Sequence, residues 1–230
     1  MDEMSRRKFM RFGIGSTIVA TFAVASAYFL MRGPEWGFPK ARLPPGQSEV
    51  DVLQLSSVGP VPEIDLDKWN LELCGEVEKC LKLDWAHFLQ LPTTVHVSGL
   101  HCVAGWSKLE NSWEGVAFRE IMSLAHPTVN AKYATIECYG DVGSGNEIYA
   151  TQIPLDDLLH DDVLFAYRLD GNGLSPEHGG PVRLIIPSKY GYKSAKWVKS
   201  VRFTDKQKLG YYERRGYSNT ADPWTEDRFA

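Results

Sequence analysis

The stretch LHCVAGWSK, residues 100–108, places a cysteine where an alternating apolar run gives way to a Val-Ala-Gly-Trp segment. A thiolate is both a soft ligand for transition metals and a good nucleophile, so Cys102 can do chemistry if something holds it deprotonated. His101 is its sequence neighbour, but adjacent side chains on a strand point to opposite faces, which makes it a poor base for that sulfur. The chain has no C-x-x-C or H-x-x-x-H pairing, so a zinc site built from protein ligands alone lacks its donors. On residue chemistry alone, packing, nucleophilic attack and metal ligation all stay open at Cys102. Cys138 lies inside the apolar run YATIECYG and reads as buried packing. Cys74 and Cys80 flank a hairpin turn, where a disulfide and two free thiols are both open.

The second chemical feature is SPEHGGPVRLIIPSKYGYKSAKWVKS, which gathers His178, Arg183, Lys189, Lys193, Lys196 and Lys199. These charges alternate with apolar strand residues, so some of them turn toward the interior or a cleft. A buried guanidinium or ammonium needs an anionic partner, and a phosphate-bearing cofactor is one.

The elements that position these groups follow from periodicity. WNLELCG and CLKLDW alternate as half-buried strands do, and DWAHFLQL reads as a short helix capped by Asp84 and stopped by Pro92. TVHVSGLHC is a further strand that delivers Cys102 at its end. FREIMSLAHP is helical up to Pro127. Strands follow at YATIECYG, EIYAT, VLFAYRL, VRLIIP and WVKSVRFT, with a short helix at PLDDLLH, and Gly and Pro punctuate the gaps. Many short strands with few helices between them indicate an α+β domain built mainly on mixed β-sheet.

Apolar content of 43% and a net charge of −4 are those of a folded protein without a basic stripe, so no nucleic acid partner is expected. The N-terminus departs from that composition. Ser5, Arg6, Arg7, Phe9 and Met10 precede FGIGSTIVATFAVASAYFLM, an uncharged run about long enough to cross a bilayer. This resembles a twin-arginine export signal, which implies passage through the twin-arginine export machinery and an extracytoplasmic or periplasmic location. Ala25-Ser26-Ala27 offers a cleavage site, while the apolar run continues to Met31, so cleaved and anchored forms are both open. The resulting organisation is 1–31 signal or anchor, 32–51 linker, and 52–230 a single domain.

From about Val52 onward the chain resembles the molybdopterin domain of the sulfite oxidase family, most closely its small bacterial exported members. The stretches that carry the resemblance include GPVPEIDLDKWNLELCG, HCVAGWS, WEGVAFREIM, AKYATIECYGD, the run from LFAYRL to SVRFTD, and GYYERRGYSNTADPW, in the family's order. The resemblance implies a molybdenum-molybdopterin cofactor with Cys102 as the thiolate ligand of molybdenum. It places cofactor contacts at His178, Arg183, Ser194 and Lys196, and a catalytic tyrosine near the metal at Tyr217, with Arg214 and Arg215 as secondary candidates.

Two departures bear on substrate. Animal and plant members carry an arginine and a histidine where this chain has Ser56 and Val58, and paired arginines after the metal cysteine where this chain has GWSKL with Lys108. A small dianion such as sulfite calls for bidentate arginine clamps that lysine does not reproduce. The expectation is therefore oxygen-atom transfer on an oxidised sulfur or nitrogen compound, a small-molecule substrate. Sulfite oxidation through a non-standard anion pocket, a non-catalytic electron-partner module and a cysteine-dependent transferase are the alternatives. There is no C-x-x-C-H haem attachment, so electrons pass to or from a separate cytochrome or haem-bearing membrane subunit.

Overall fold

The computed structural model describes residues 43–142 and 147–230. The twin-arginine-like segment and the first part of the linker lie outside them, and no helix among the described residues is long and apolar enough to cross a membrane.

Two sheets form the frame. Strands β1 (Ser48–Glu49), β4 (Thr93–His101), β5 (Trp106–Ala117), β8 (Leu164–Leu169), β9 (Asn172–Gly173) and β10 (Arg183–Ile185) make one, in the order β1-β5-β8-β10 with β4 on β5 and β9 on β8. Strands β2 (Asn70–Gly75), β3 (Leu81–Asp84), β6 (Tyr133–Cys138), β7 (Ala150–Pro154) and β11 (Val198–Thr204) make the other, in the order β3-β2-β11-β6-β7. β1 with β5 and β2 with β11 are parallel and the remaining pairs antiparallel, so both sheets are mixed. Among the described residues three short helices accompany the sheets: α1 (Trp85–Leu89), α2 (Phe118–Ala125) and α3 (Leu155–Leu158).

The local chemistry explains these elements. Asp84 Oδ1 accepts from the backbone N–H of His87 at 2.8 Å and caps α1. α2 ends where His126 takes a left-handed conformation ahead of Pro127, a helix stop that the proline reinforces. Period-2 alternation sends Leu71 and Leu73 of β2, Ala134 and Ile136 of β6, and Val201 and Phe203 of β11 into one core, where they meet Phe118 and Ile121 of α2. Each such fully buried Leu or Ile contributes roughly 1.5–3 kcal/mol by leaving water. A second apolar cluster, with Leu53, Leu100, Trp113 and Ile185, packs around the six-stranded sheet. Cys74 and Cys80 are joined by a disulfide across the β2–β3 turn, and Cys138 is buried in the first core.

Two segments differ from the sequence expectation. Residues 106–117, to which the periodicity assigns no element, form the longest strand among the described residues. Ser48 and Glu49, inside the stretch read as linker, pair with Trp106 and Ser107 of that strand.

Candidate functional site

Cys102 stands where β4 ends. A register shift between Ser98 and Leu100 interrupts the pairing of β4 with β5, and both Leu100 and His101 beyond it are buried. The chain then reverses in a tight turn: Cys102 N–H donates to Trp106 O at 2.8 Å, and Gly105 N–H donates to Cys102 O at 3.0 Å. Gly105 has a φ of 99°, which a side chain would strain. Gln47 of the N-terminal arm adds a hydrogen bond from Nε2 to the same carbonyl at 3.1 Å. The backbone of Cys102 is thus fixed from two sides, while its thiol is free and half-buried. Burial pushes that thiol up, against the pull of the Ala104 backbone N–H and the Arg228 charge.

The thiol borders a cleft that encloses about 810 Å3, counting its open mouth. His178, Arg183, Ser194 and Lys196 line the same cleft, so five of the six residues named from the sequence converge there. Arg183 opens β10 at 4% exposure, with Nη1 donating to His178 O at 3.0 Å and Nη2 to Ser194 O at 3.1 Å. Its Nε is buried without a partner, and burial lowers the guanidinium pKa to about 10. Lys196 Nζ donates to Glu177 O at 2.7 Å. Burial and then the Arg183 charge lower its pKa to about 8. His178 is lowered by burial and next by those two cations. Among the described residues no carboxylate forms an ion pair with Arg183 or Lys196. Two cationic groups, Arg183 and Lys196, that repel one another beside an unpartnered buried N–H give this end of the cleft the character that attracts an anion.

Around Cys102 the wall is aromatic and apolar: Val103, Trp106, Tyr149, Tyr192 and Tyr212. Tyr217 does not line this cleft. It packs behind Tyr212, with ring centroids 4.9 Å apart, and against Phe229. A short 3-10 turn at Glu213–Arg215 separates the two tyrosines and gives Tyr212 the position next to the sulfur. Arg214 and Arg215 are held outside by Glu147, at 2.7 and 2.9 Å, and Lys108 donates to the carbonyl of Leu109. Ser56 and Val58 line the cleft from the arm, as do Leu53 and Ser57. In the sequence the tyrosines of GYYERRGY carry no mark that separates wall from packing.

The donor set suits the group that the resemblance implies. No cluster of three or more His, Cys, Asp or Glu able to hold a metal occurs among the described residues, so Cys102 offers one soft ligand and a cofactor must supply the rest. The unpartnered Nε of Arg183 and the ammonium of Lys196 supply what a phosphate-bearing organic group needs at the other end.

Comparison with known proteins gives the same outline. A family model described as the oxidoreductase molybdopterin binding domain matches residues 58–212. The chain is 36% identical over 189 residues to the uncharacterized oxidoreductase YuiH of Bacillus subtilis (strain 168), covering 82% of this chain and 92% of that protein. Its fold is similar to the sulfane dehydrogenase SoxCD from Paracoccus pantotrophus, with a TM-score of 0.58 and 23% identity. That match covers 68% of this chain and 42% of the SoxCD chain, and it speaks to fold alone.

Proposed function

The chain belongs to the sulfite oxidase family of molybdopterin-binding oxidoreductases and is a molybdenum-dependent enzyme, and from that premise we propose that it reduces a small oxidised sulfur or nitrogen compound outside the cytoplasm. The balance is one oxygenated substrate, two electrons and two protons in, and the deoxygenated compound and one water out. A separate redox protein supplies the electrons. The observation that carries the reading is the cleft itself, with one soft thiol at one end and, at the other, the buried Arg183 and half-buried Lys196, neither in an ion pair among the described residues.

When bound, the molybdenum-molybdopterin group supplies two-electron oxygen-atom transfer. The protein's residues do the rest. Cys102 would hold the metal as its thiolate, and the bound cation would offset the penalty that burial places on the charged form of this sulfur. Arg183 and Lys196 grip the phosphate. Ser194 Oγ accepts from Ile186 N–H at 3.0 Å, which leaves its own proton to donate into the cleft. Trp106, Tyr149 and Tyr192 exclude water from the thiol's side. Tyr212 keeps its phenol proton, because burial raises its pKa and the neighbouring Tyr217 and Tyr211 raise it further, so it can donate to the substrate oxygen.

Reduction is favoured over sulfite oxidation by the wall around Cys102. Among the described residues no lysine or arginine lines the cleft on that side. The guanidinium of Arg228 is already committed to the carbonyls of Val103 and Gly46. A dianion has no clamp there, whereas a neutral sulfoxide-like or N-oxide-like group meets aromatic rings and a phenol donor.

The test is to purify wild type and Cys102→Ser from a host that makes molybdopterin, then measure molybdenum, pterin and turnover. Wild type should carry both in equimolar amount and reduce sulfoxides or N-oxides with a viologen donor. The variant should keep pterin and lose turnover by more than about 100-fold. Sulfite oxidation by wild type with no reductase activity would overturn the direction, and full turnover by the variant would overturn the site.

A further inference from the structure

A second cavity lies on the other face of β4, behind the residue that precedes Cys102. It holds about 300 Å3, with Leu109 and Pro187 as apolar walls and His101, Asp162, Ser188 and Trp224 as its polar and aromatic groups. His101 is 5% exposed.

The hydrogen-bond polarity around His101 is forced. A carbonyl only accepts, so Gln47 presents Nε2 to Cys102 O and leaves Oε1 facing Ser107. That oxygen also only accepts, so Ser107 Oγ gives it its one proton, at 3.1 Å. At 2.7 Å from His101 Nδ1, Ser107 Oγ must then accept, which puts the ring proton on Nδ1. His101 Nε2 is left with a bare lone pair. It has no protein partner among the described residues, and it lies 3.2 Å from where a Cβ on Gly99, another cavity residue, would stand.

The other groups share one preference. Trp224 stands 6.0 Å from the imidazole, centroid to centroid, at 70° to it, and is 40% exposed. Among the described residues Asp162 forms no ion pair, and neither lysine nor arginine lines the cavity. An acceptor lone pair, a carboxylate and an indole, with no competing cation among the described residues, suit a cation that carries N–H donors.

We infer that this cavity is a binding site for a primary alkylammonium group, whose N–H donates to His101 Nε2 while Asp162 balances its charge and Trp224 packs against it. Leu109 and Pro187 take the alkyl chain. The occupant leaves the catalytic cleft open, since it sits across the strand from Cys102. A free amine and a lysine side chain of another polypeptide share this chemistry. The inference does not depend on the bound cofactor.

Calorimetric titration of the purified protein with n-butylammonium, tetramethylammonium and n-butanol tests it. One equivalent of butylammonium should bind saturably. Tetramethylammonium, which has no N–H, and butanol, which has no charge, should each bind more weakly. Asp162→Asn and Trp224→Ala, both at partly exposed positions, should weaken butylammonium about three- to tenfold with unchanged melting midpoints. Nα-acetyl-lysine methylamide distinguishes the sources: binding as tight as butylammonium points to a polypeptide lysine, and exclusion points to a small free amine. Equal binding of butanol and butylammonium, no binding by wild type, or indifference to both substitutions would overturn the site.

Discussion

Lys193 and Glu213 form an ion pair with side chains 0% and 1% exposed, and it joins the two segments that carry the aromatic wall of the cleft. Tyr192 and Ser194 flank the lysine, and Tyr212 precedes the glutamate. Lys193 Nζ also donates to Gln152 O at 3.1 Å, and Thr151 Oγ1 donates to Glu213 Oε1 at 3.0 Å. Burial pulls the lysine pKa down more strongly than the glutamate pulls it up.

Removing one partner should therefore cost more than removing both. Glu213→Gln or Lys193→Met alone leaves a buried charge uncompensated, at about 3–5 kcal/mol. The double variant Lys193→Met, Glu213→Leu should recover most of that loss. Denaturant midpoints of the three proteins check it, and additive losses would show that the pair is not coupled.

The placement of Cys102 was legible because TVHVSGLHC alternates and then meets a Gly-containing loop, which is how a strand ends. The next strand was hidden by its own chemistry. Its inward positions include Ser107 and Asn111, fully buried but polar, which break the apolar alternation that marks a strand. They are tolerated because Asn111 donates to Ser98 O and Lys108 O, and Ser107 joins His101 to Gln47. The anion end of the site was legible for the opposite reason: cations interleaved with apolar strand residues cannot all face water. Tyr212 was not, since a single 3-10 turn decides which tyrosine of GYYERRGY meets the cleft.

That turn makes a sharp prediction. Tyr212→Phe removes the phenol donor beside Cys102 and should lower kcat about 100-fold with a small change in KM. Tyr217→Phe removes a hydroxyl from a packed ring behind it and should change kcat by less than about threefold. Steady-state kinetics with a viologen donor separate the two, and the reverse ranking would return the catalytic role to Tyr217.

Gln47 links the arm to Cys102. Besides its bond to Cys102 O, the arm is tied by Ser48 N–H to Gly105 O and Val50 N–H to Ser107 O, each at 2.9 Å. Gln47→Leu leaves the Ser107 donor without its acceptor at a cost of about 1–2 kcal/mol, so amide exchange at Ser48 and Val50 should accelerate about tenfold. Gln47→Glu keeps the size but cannot donate to the Cys102 carbonyl when ionised, and should do at least as much damage. Hydrogen-exchange mass spectrometry of the 47–58 region reads both variants, and a Glu variant as protected as wild type would reduce Gln47 to packing.

The anion end of the cleft should respond to pH through Lys196. With the anion absent its pKa is lowered to about 8, by burial first and the Arg183 charge second. The unfolded chain therefore binds more protons than the folded one between about pH 8 and the ordinary lysine value, so this group makes the anion-free protein more stable as pH rises through that window. Anion binding runs the other way. A phosphate needs the ammonium charged, so its affinity is highest below about pH 8 and falls above it, as the lysine must take up a proton to bind. Inorganic phosphate should raise the melting midpoint of the cofactor-free protein at pH 7, with an affinity about tenfold lower at pH 9. Lys196→Arg, which stays charged, should flatten that dependence, and Lys196→Met should abolish it while weakening binding at both pH values. A phosphate effect that is unchanged between pH 7 and pH 9 in wild type would show that Lys196 takes no part in holding the anion.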